Sequence, residues 1–410
     1  MFKNIPSHWD IKKICQICNV KGGKRLPQNH SLVDYKTEHP YLRVTDFKNF
    51  SIEDSELKYI EDNTHHLIKN YIINKQDLYI SIAGTIGLVG EIPTNLDGAN
   101  LTENAAKLII IDKNINKNYL KYCLNSSYIQ KIIEELTVGV GVPKLSLSRI
   151  NEISIPIPPT LEEQEEIVDI LDNAANMVRL RNECIDHTED LIPAIFYEMF
   201  GDIVNNQKKS PIHKINEYVK INPTKQQFGD KDKFATFLAM KDVSENGQII
   251  SDEDRPIKEV IKGFTCFQEN DVLLAKITPC FENGKGTIAR NLTNKIGFGS
   301  TEFHVLRPIN NEEILPEYLF YLLRTDNFKT LGKMNMKGAA GQKRVPKDFI
   351  ENYKFPKPSI EAQKEFAQIV KDIDEYKKQQ YQELKYAKDL FNSLLQKTFT
   401  GELTANIYGK

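Results

Sequence analysis

Long hydrophobic runs are missing from this 410-residue chain. No stretch of about 18 uncharged apolar residues occurs, so no membrane span is expected. The nearest candidate, residues 71–92, is interrupted by Lys75, Gln76, Asp77 and several glycines. The opening, MFKNIPSHWD, lacks the apolar core of a signal peptide. Cysteine is scarce as well: six in a chain of this size make no disulfide framework and point to a cytoplasmic location. Net charge is nearly absent, at −2, which at first sight argues against a nucleic-acid binder. What remains is ordinary globular composition, 40% hydrophobic and 27% charged, with enough chain for two to four domains.

What the chain does have is an internal repeat. Residues 156–203 begin PIPPTLEEQEEIVDIL and residues 356–403 begin PKPSIEAQKEFAQIV. Gln164 answers to Gln363, Ile167 to Phe366, Leu171 to Val370, Leu191 to Leu390 and Phe200 to Phe399. The offset holds at 199 until Gly201 and Gly401, where one residue is inserted. A period near half the chain means a duplicated domain-sized unit rather than a solenoid. The repeat also redistributes the charge. Residues 160–200 carry 11 acidic and 2 basic side chains and residues 359–399 carry 7 of each, which leaves +7 for everything outside them. That basic excess is compatible with phosphate binding.

Each copy has two parts. The first, roughly 8–155 and 211–355, mixes short apolar runs with Gly, Asn, Thr and Pro punctuation. YISIAG (79–84), AAKLIIID (105–112), DVLLAKIT (271–278) and TEFHVLRP (301–308) are β-branched, short and bounded by turn residues, which predicts strands. Residues 115–136 and 314–334 predict helices between them.

The second part predicts a long helix. Ile167, Ile170, Leu171, Ala174, Met177, Val178, Cys184, Ile185, Leu191, Ile192 and Ile195 recur at spacings of three and four. Phe366, Ile369, Val370, Ile373, Tyr376, Leu384, Ala387, Leu390, Phe391 and Leu394 repeat the stripe. Sustained over about five heptads, it reads as a coiled-coil seam. Pro158 and Pro358 precede the helices, and Thr160 and Ser359 can cap them. About 40 residues give a rod of roughly 60 Å. Pro193 is expected to kink the first helix or split off its last two turns.

These residues carry a resemblance to the DNA-specificity subunits of type I restriction–modification systems, over essentially the whole chain. That family joins each recognition domain to a long helix through a proline-rich, Gln-containing junction, here PIPPTLEEQ (156–164) and PKPSIEAQ (356–363). Its Phe-x-Gly-Glu-like tail is matched by Phe200-Gly201-Asp202 and Phe399-Thr400-Gly401-Glu402. YLRVTDF (41–47) answers to FLAMKDV (237–243), and QDLYISIAGTIG (76–87) to NDVLLAKITPCFENGKG (270–286). GSTEFHVLRP (299–308) and GAAGQKRVP (338–346) resemble one class of recognition domain, with GVGVPKLSLSRI (139–150) as counterpart to the latter. The second junction departs in having Ala362 where the first has Glu163, and in lacking paired prolines.

The resemblance implies an α+β fold class: two mixed α/β target-recognition domains separated by two long antiparallel coiled-coil helices, with a pseudo-two-fold internal repeat. The divisions are target-recognition domain 1 (1–157), helix 1 (158–203), target-recognition domain 2 (204–357), and helix 2 with the tail (358–410). It also implies a non-catalytic subunit without cofactors. Its partners would be double-stranded DNA, two DNA adenine methyltransferase subunits and motor-nuclease restriction subunits, with no membrane. Those partners would supply the S-adenosylmethionine and ATP chemistry. The acidic face of residues 160–200 is a protein-binding surface or a plain solvated face, and the resemblance favours the former.

No catalytic constellation stands out. INPT (221–224) lacks the second proline and the aromatic ring of an adenine methyltransferase loop. Gly84-x-x-Gly87-x-x-Gly90 fails the dinucleotide spacing, and Gly284-Lys285 lacks the rest of a P-loop. Cys15-Gln-Ile-Cys18 has metal-ligand spacing, but Ile11, Ile14, Cys15 and Cys18 form one apolar helical face, which favours core packing over zinc. His65-His66 read as surface histidines.

Base reading needs donors and acceptors on elements narrow enough to enter a groove. The first domain offers Lys21, Lys24, Arg25, Arg43, Thr45, Ser81, Thr85, Lys144 and Ser146. The second offers Lys241, Lys276, Thr278, Glu282, Asn283, Lys285, Ser300, Thr301, Gln342, Lys343 and Arg344. Gly341-Gln342-Lys343-Arg344 is the strongest local case, offering an adenine reader, a phosphate cation and a guanine reader beside a glycine. Glu302 and His304 share one strand face, toward DNA or toward solvent. The expected target is bipartite, with half-sites about 34 Å apart and an unread spacer. The alternatives are a stand-alone sequence-specific endonuclease and a repeat scaffold that binds no DNA.

Overall fold

The computed structural model describes residues 5–137, 143–224, 227–339 and 341–400. The GVGV of 139–142, Ala340, and Gly401-Glu402 of the second tail lie outside the described residues. Two compact units emerge, residues 1–181 with 383–410, and residues 182–382.

Both units are built to one plan. In the first, one four-stranded sheet runs Lys58–Ile60, His39–Leu42, Ala99–Leu101, Ile72–Ile73. The other runs Cys18–Gly22, Ala105–Ile110, Leu78–Ser81, Val89–Glu91. The second unit has Glu253–Pro256, Phe234–Leu238, Ile296–Gly299, Thr265–Gln268, and then Val219–Ile221, Phe303–Pro308, Val272–Ala275, Gly286–Ile288. The same pair is parallel in each, His39–Leu42 with Ala99–Leu101 and Phe234–Leu238 with Ile296–Gly299. A short ribbon closes each unit: Asp10–Lys13 against Ser154–Ile157, and Ile212–Lys214 against Lys354–Pro356. The four sequence segments expected as strands all contain strands.

The helical segments differ from expectation. Residues 115–136 form two helices, Lys117–Asn125 and Ser127–Leu136, and residues 314–334 divide into Pro316–Leu322 and Asp326–Asn335. The cause is local. Ser126 accepts the Ile129 N–H and Thr325 the Phe328 N–H, each 3.4 Å away, so a hydroxyl begins a new helix at the same place in both copies. The Cys15 segment is not an amphipathic helix. Only Ile14–Ile17 is helical, between strands; Ile14, Ile17 and Cys18 are buried, and Ile11 and Cys15 are exposed.

The long helices are Leu161–Phe200 and Ile360–Thr400. Pro193 does not split the first, which runs on through it to Phe200. A single missing N–H is tolerated where neighbouring turns pack through Ile192 and Phe196. The stripe is shifted from the expected one. Met177, Leu191, Tyr376 and Leu390 are exposed, while Gln164, Ile167, Leu171, Ala174, Ile185, Thr188, Ile192 and Phe196 are buried. Each helix serves both units. Ile167 and Leu171 join Phe391, Leu395 and Phe399 in the core of the first. Phe196 and Phe200 join Phe366 and Val370 in that of the second. Phe366 packs edge-on to Phe196 and Phe200, with ring centroids 5.4 Å away in both cases.

The junctions explain their own composition. Gln164 is wholly buried: its Oε1 accepts the Asn116 N–H at 2.8 Å, and its Nε2 donates to Asn114 O at 2.9 Å and Pro158 O at 3.3 Å. Gln363 does the same with Leu315 N (2.9 Å), Glu313 O (3.1 Å) and Pro358 O (3.2 Å). Tyr119 and Tyr318 donate their hydroxyls to Pro156 O at 2.8 Å and Pro356 O at 2.6 Å. Thr160 and Ser359 each accept the N–H three residues on, at 3.2 Å, as helix caps do. The Glu163/Ala362 departure has a cause too. Glu163 accepts the Trp9 indole N–H at 2.7 Å, whereas Ser210 occupies the corresponding place in the second unit.

Candidate nucleic-acid interface

In the first unit, Arg25, Arg43 and Thr45 line one concavity of about 400 Å³ with Tyr41, Thr102 and Glu103. The backbone reaches it by a close approach: a Cβ on Gly23 would run into the carbonyls of Leu101 and Thr102. Both arginines are held by acids. Arg25 Nε donates to Glu103 at 2.7 Å. Arg43 Nε and Nη2 grip Asp46 at 3.1 and 2.6 Å, and Nη2 also donates to Glu56 O at 2.9 Å. Burial raises the Glu103 pKa, but hydrogen bonds, Arg25's foremost, outweigh it and leave the carboxyl below its usual range. Thr45 is exposed, with its hydroxyl 3.3 Å from Asp46.

Lys24 is exposed, its ammonium 5.4 Å from the Tyr71 ring centroid. Lys21 is exposed on its strand in register with Lys107. Burial, aided by Lys21, depresses the Lys107 pKa. A second group forms at the Ala83–Lys144 bridge, which sets the loop of Thr85 beside that of Lys144 and Ser146. All three are exposed, and Ser146 caps Leu147–Glu152. Ser81 is a correction. It is fully buried, and its Oγ accepts the Leu88 N–H at 2.8 Å, so its hydroxyl serves the sheet.

The second unit repeats this docking with more charge. Thr278 N and Oγ1 donate to Lys343 O at 3.0 and 3.1 Å, and Val345 N donates to Lys276 O at 2.9 Å. Lys343 is thereby fixed through its backbone, Gln342 N donates to Ala339 O at 3.0 Å, and both side chains are exposed. Arg344 meets Glu302: Nε lies 2.9 and 3.2 Å from its two oxygens and Nη2 2.9 Å from one. That hydrogen bond is the first cause holding the Glu302 carboxyl below its ordinary pKa. Ser300 accepts the Glu302 N–H at 3.2 Å, and Thr301 is exposed.

The remaining candidates have other partners or none of these bonds. Lys241 is exposed on the turn Met240–Asp242. Glu282 pairs with Lys333 at 3.5 Å, and Asn283 donates to Glu245 at 2.6 Å. Lys285 is half-buried, its carbonyl accepting the Ala275 N–H at 2.9 Å. His304 and His65 are corrections. His304 faces neither DNA nor solvent: it is buried between Asn222 and Val345 O, 2.9 Å from each. His65 is half-buried, stacked on His39 with centroids 3.9 Å apart and hydrogen-bonded to Asn100 at 2.8 Å. Sequence reasoning missed the acids that hold the arginines. Asp46, three residues after Arg43, was visible as a pair; Glu103 and Glu302 are brought up only by the fold.

A duplicated pair of α/β units, each bearing polar loops braced on a sheet and a shared pair of long helices, is the class these features define. Residues 6–187 and 208–386 match the model described as type I restriction modification DNA specificity domain. The chain belongs to that family. It is similar to the type I restriction enzyme EcoEI specificity subunit of Escherichia coli, 40% identical over 145 residues, 35% of this chain and 24% of that one. The EcoAI specificity subunit of the same organism is 36% identical over 186 residues, 44% of this chain and 31% of that one. The chain thus matches about a quarter to a third of the length of these two relatives. The putative MjaX specificity subunit of Methanocaldococcus jannaschii aligns end to end: 24% identity over 423 residues, 95% and 93% of the two chains. A solved chain from work on complex assembly and conformational transition of the type I R-M system shares the fold, with TM-score 0.59, 17% identity, and 97% and 99% coverage. No helix among the described residues is long and apolar enough to cross a membrane.

Proposed function

We propose that this chain is the sequence-specific DNA-binding subunit of a type I restriction–modification complex, working in the cytoplasm and without catalysis of its own. It recognises an asymmetric bipartite duplex and directs adenine methylation or restriction by its partners. Those are two DNA adenine methyltransferase subunits and the motor-nuclease subunits. The methyltransferase flips the target base, and this chain chooses where.

The observation that carries this reading is the repeated docking of a polar loop on a sheet. Lys144 and Ser146 are presented in one unit, and Gln342, Lys343 and Arg344 in the other. Residues 1–157 and 204–357 are the two target-recognition domains, and 158–203 and 358–410 the helices with the tail. The helices form an antiparallel coiled coil relating the copies by a pseudo-two-fold axis. Supporting this, buried positions of the second helix fall at 363, 366, 370, 377, 380, 384, 387, 391 and 395, and Arg181 pairs with Glu383 at 2.5 Å.

Retention of duplex DNA by the full chain, assembled with its methyltransferase, tests the reading. One bipartite sequence should be held about a thousandfold or more over random duplex, with affinity falling steeply as salt rises. Equal, weak retention of all duplexes would favour the scaffold. Cleavage by the chain with magnesium alone would favour the endonuclease.

A further inference from the structure

We propose that Arg344 reads a guanine in the half-site of the second unit, and that Glu302 is the positioning residue that presets its guanidinium. The inference rests on the DNA-specificity reading and deepens it. A guanidinium has five N–H donors. Glu302 takes Nε and one Nη2 hydrogen, and Gln342 O takes one Nη1 hydrogen at 2.9 Å. One hydrogen remains on each Nη. Two donors on adjacent terminal nitrogens match the O6 and N7 acceptors that guanine shows in the major groove.

The other candidate arginines lack this arrangement. Arg43 spends Nη2 on both Asp46 and Glu56 O. Arg25 is held through Nε alone, and its side chain is 80% exposed. Arg344 is 41% exposed and anchored at both levels. Its N–H donates to Lys337 O at 2.8 Å, its C=O accepts the Lys337 N–H at 3.0 Å, and Ile277 bridges it from the other side. A site held this way loses little freedom on binding.

The charge balance separates base reading from phosphate binding. Glu302 neutralises Arg344, so the pair adds little long-range attraction for the backbone and contributes donor geometry instead. Neighbouring Lys343 is exposed, pairs with no carboxylate among the described residues, and suits the phosphate role.

The test is selection from a duplex library with both half-sites randomised, using the full chain assembled with its methyltransferase. The wild type should enrich a bipartite motif with guanine at a position in one half-site. R344A should relax that position by about 5–150-fold in preference, leave the other half-site intact, and shallow the salt slope by about one ion at most, because Glu302 is left without its counter-charge. E302Q should weaken the same preference and steepen the salt slope by about one ion. K343A should shallow the slope and keep the guanine. The intact half-site of the first unit reports that each variant is folded. An unaltered guanine preference in R344A overturns the inference, and an E302Q profile identical to wild type overturns the role of Glu302. A wild-type complex that enriches no sequence overturns the DNA-specificity reading itself, and this inference with it.

Discussion

Gln164 and Gln363 hold the start of each long helix to the loop that precedes Lys117–Asn125 or Pro316–Leu322. An amide is needed because one group must accept and the other donate, in a place closed to water. Q164L and Q363L keep the volume and orphan a buried N–H and carbonyls, at a cost of about 1–3 kcal/mol per orphaned group. A lower urea midpoint is expected for each, and an unchanged midpoint would contradict the clamp. His304 gives a pH dependence. Burial lowers its pKa below the usual 6.5, against the opposing hydrogen bond to Val345; Lys276 and Lys347 also lower it, and Glu302 raises it. In the window between the folded pKa and 6.5 the unfolded chain binds more protons. Stability from neutral His304 is therefore full above about pH 6.5 and declines as pH falls toward the folded pKa. H304Q should show a smaller loss of urea midpoint between about pH 7.5 and 5.5 than the wild type. Equal losses would show that another group carries the effect.

Element by element, the sequence showed the duplication and the strand segments plainly, because short β-branched runs and constant offsets need no tertiary information. The long helices were legible as elements, but their buried face was not fully so. Thr188, Lys377 and Gln380 are buried, and a stripe drawn through apolar residues alone passes over them. Ser126 and Thr325 broke two expected helices because a capping hydroxyl competes with the backbone ladder, and apolar spacing does not register that competition. The Arg344–Glu302 pair joins residues 42 apart and was legible only as two separate polar residues. The proposed antiparallel pair makes helix length a ruler. Removing one heptad from each long helix shortens it by about 10 Å. The spacer between half-sites should then shrink by about three base pairs at 3.4 Å each, with both half-sites unchanged. Methylation mapping reads this directly, and an unchanged spacer would contradict the ruler.

At the scale of the molecule, two like units with unlike loops are what an asymmetric bipartite target requires. The shared sheet order supplies two equivalent platforms. Their loops differ: Pro143-Lys144-Leu145-Ser146 in one answers to Lys343-Arg344-Val345-Pro346 in the other. One measurement tests that claim most directly. The chain would be co-expressed with its methyltransferase and N6-methyladenine mapped along the host DNA by long-read sequencing. The account predicts a single bipartite motif, methylated on both strands and absent when this chain is omitted. Methylation that is unchanged without the chain, or a motif with one continuous half, would contradict it.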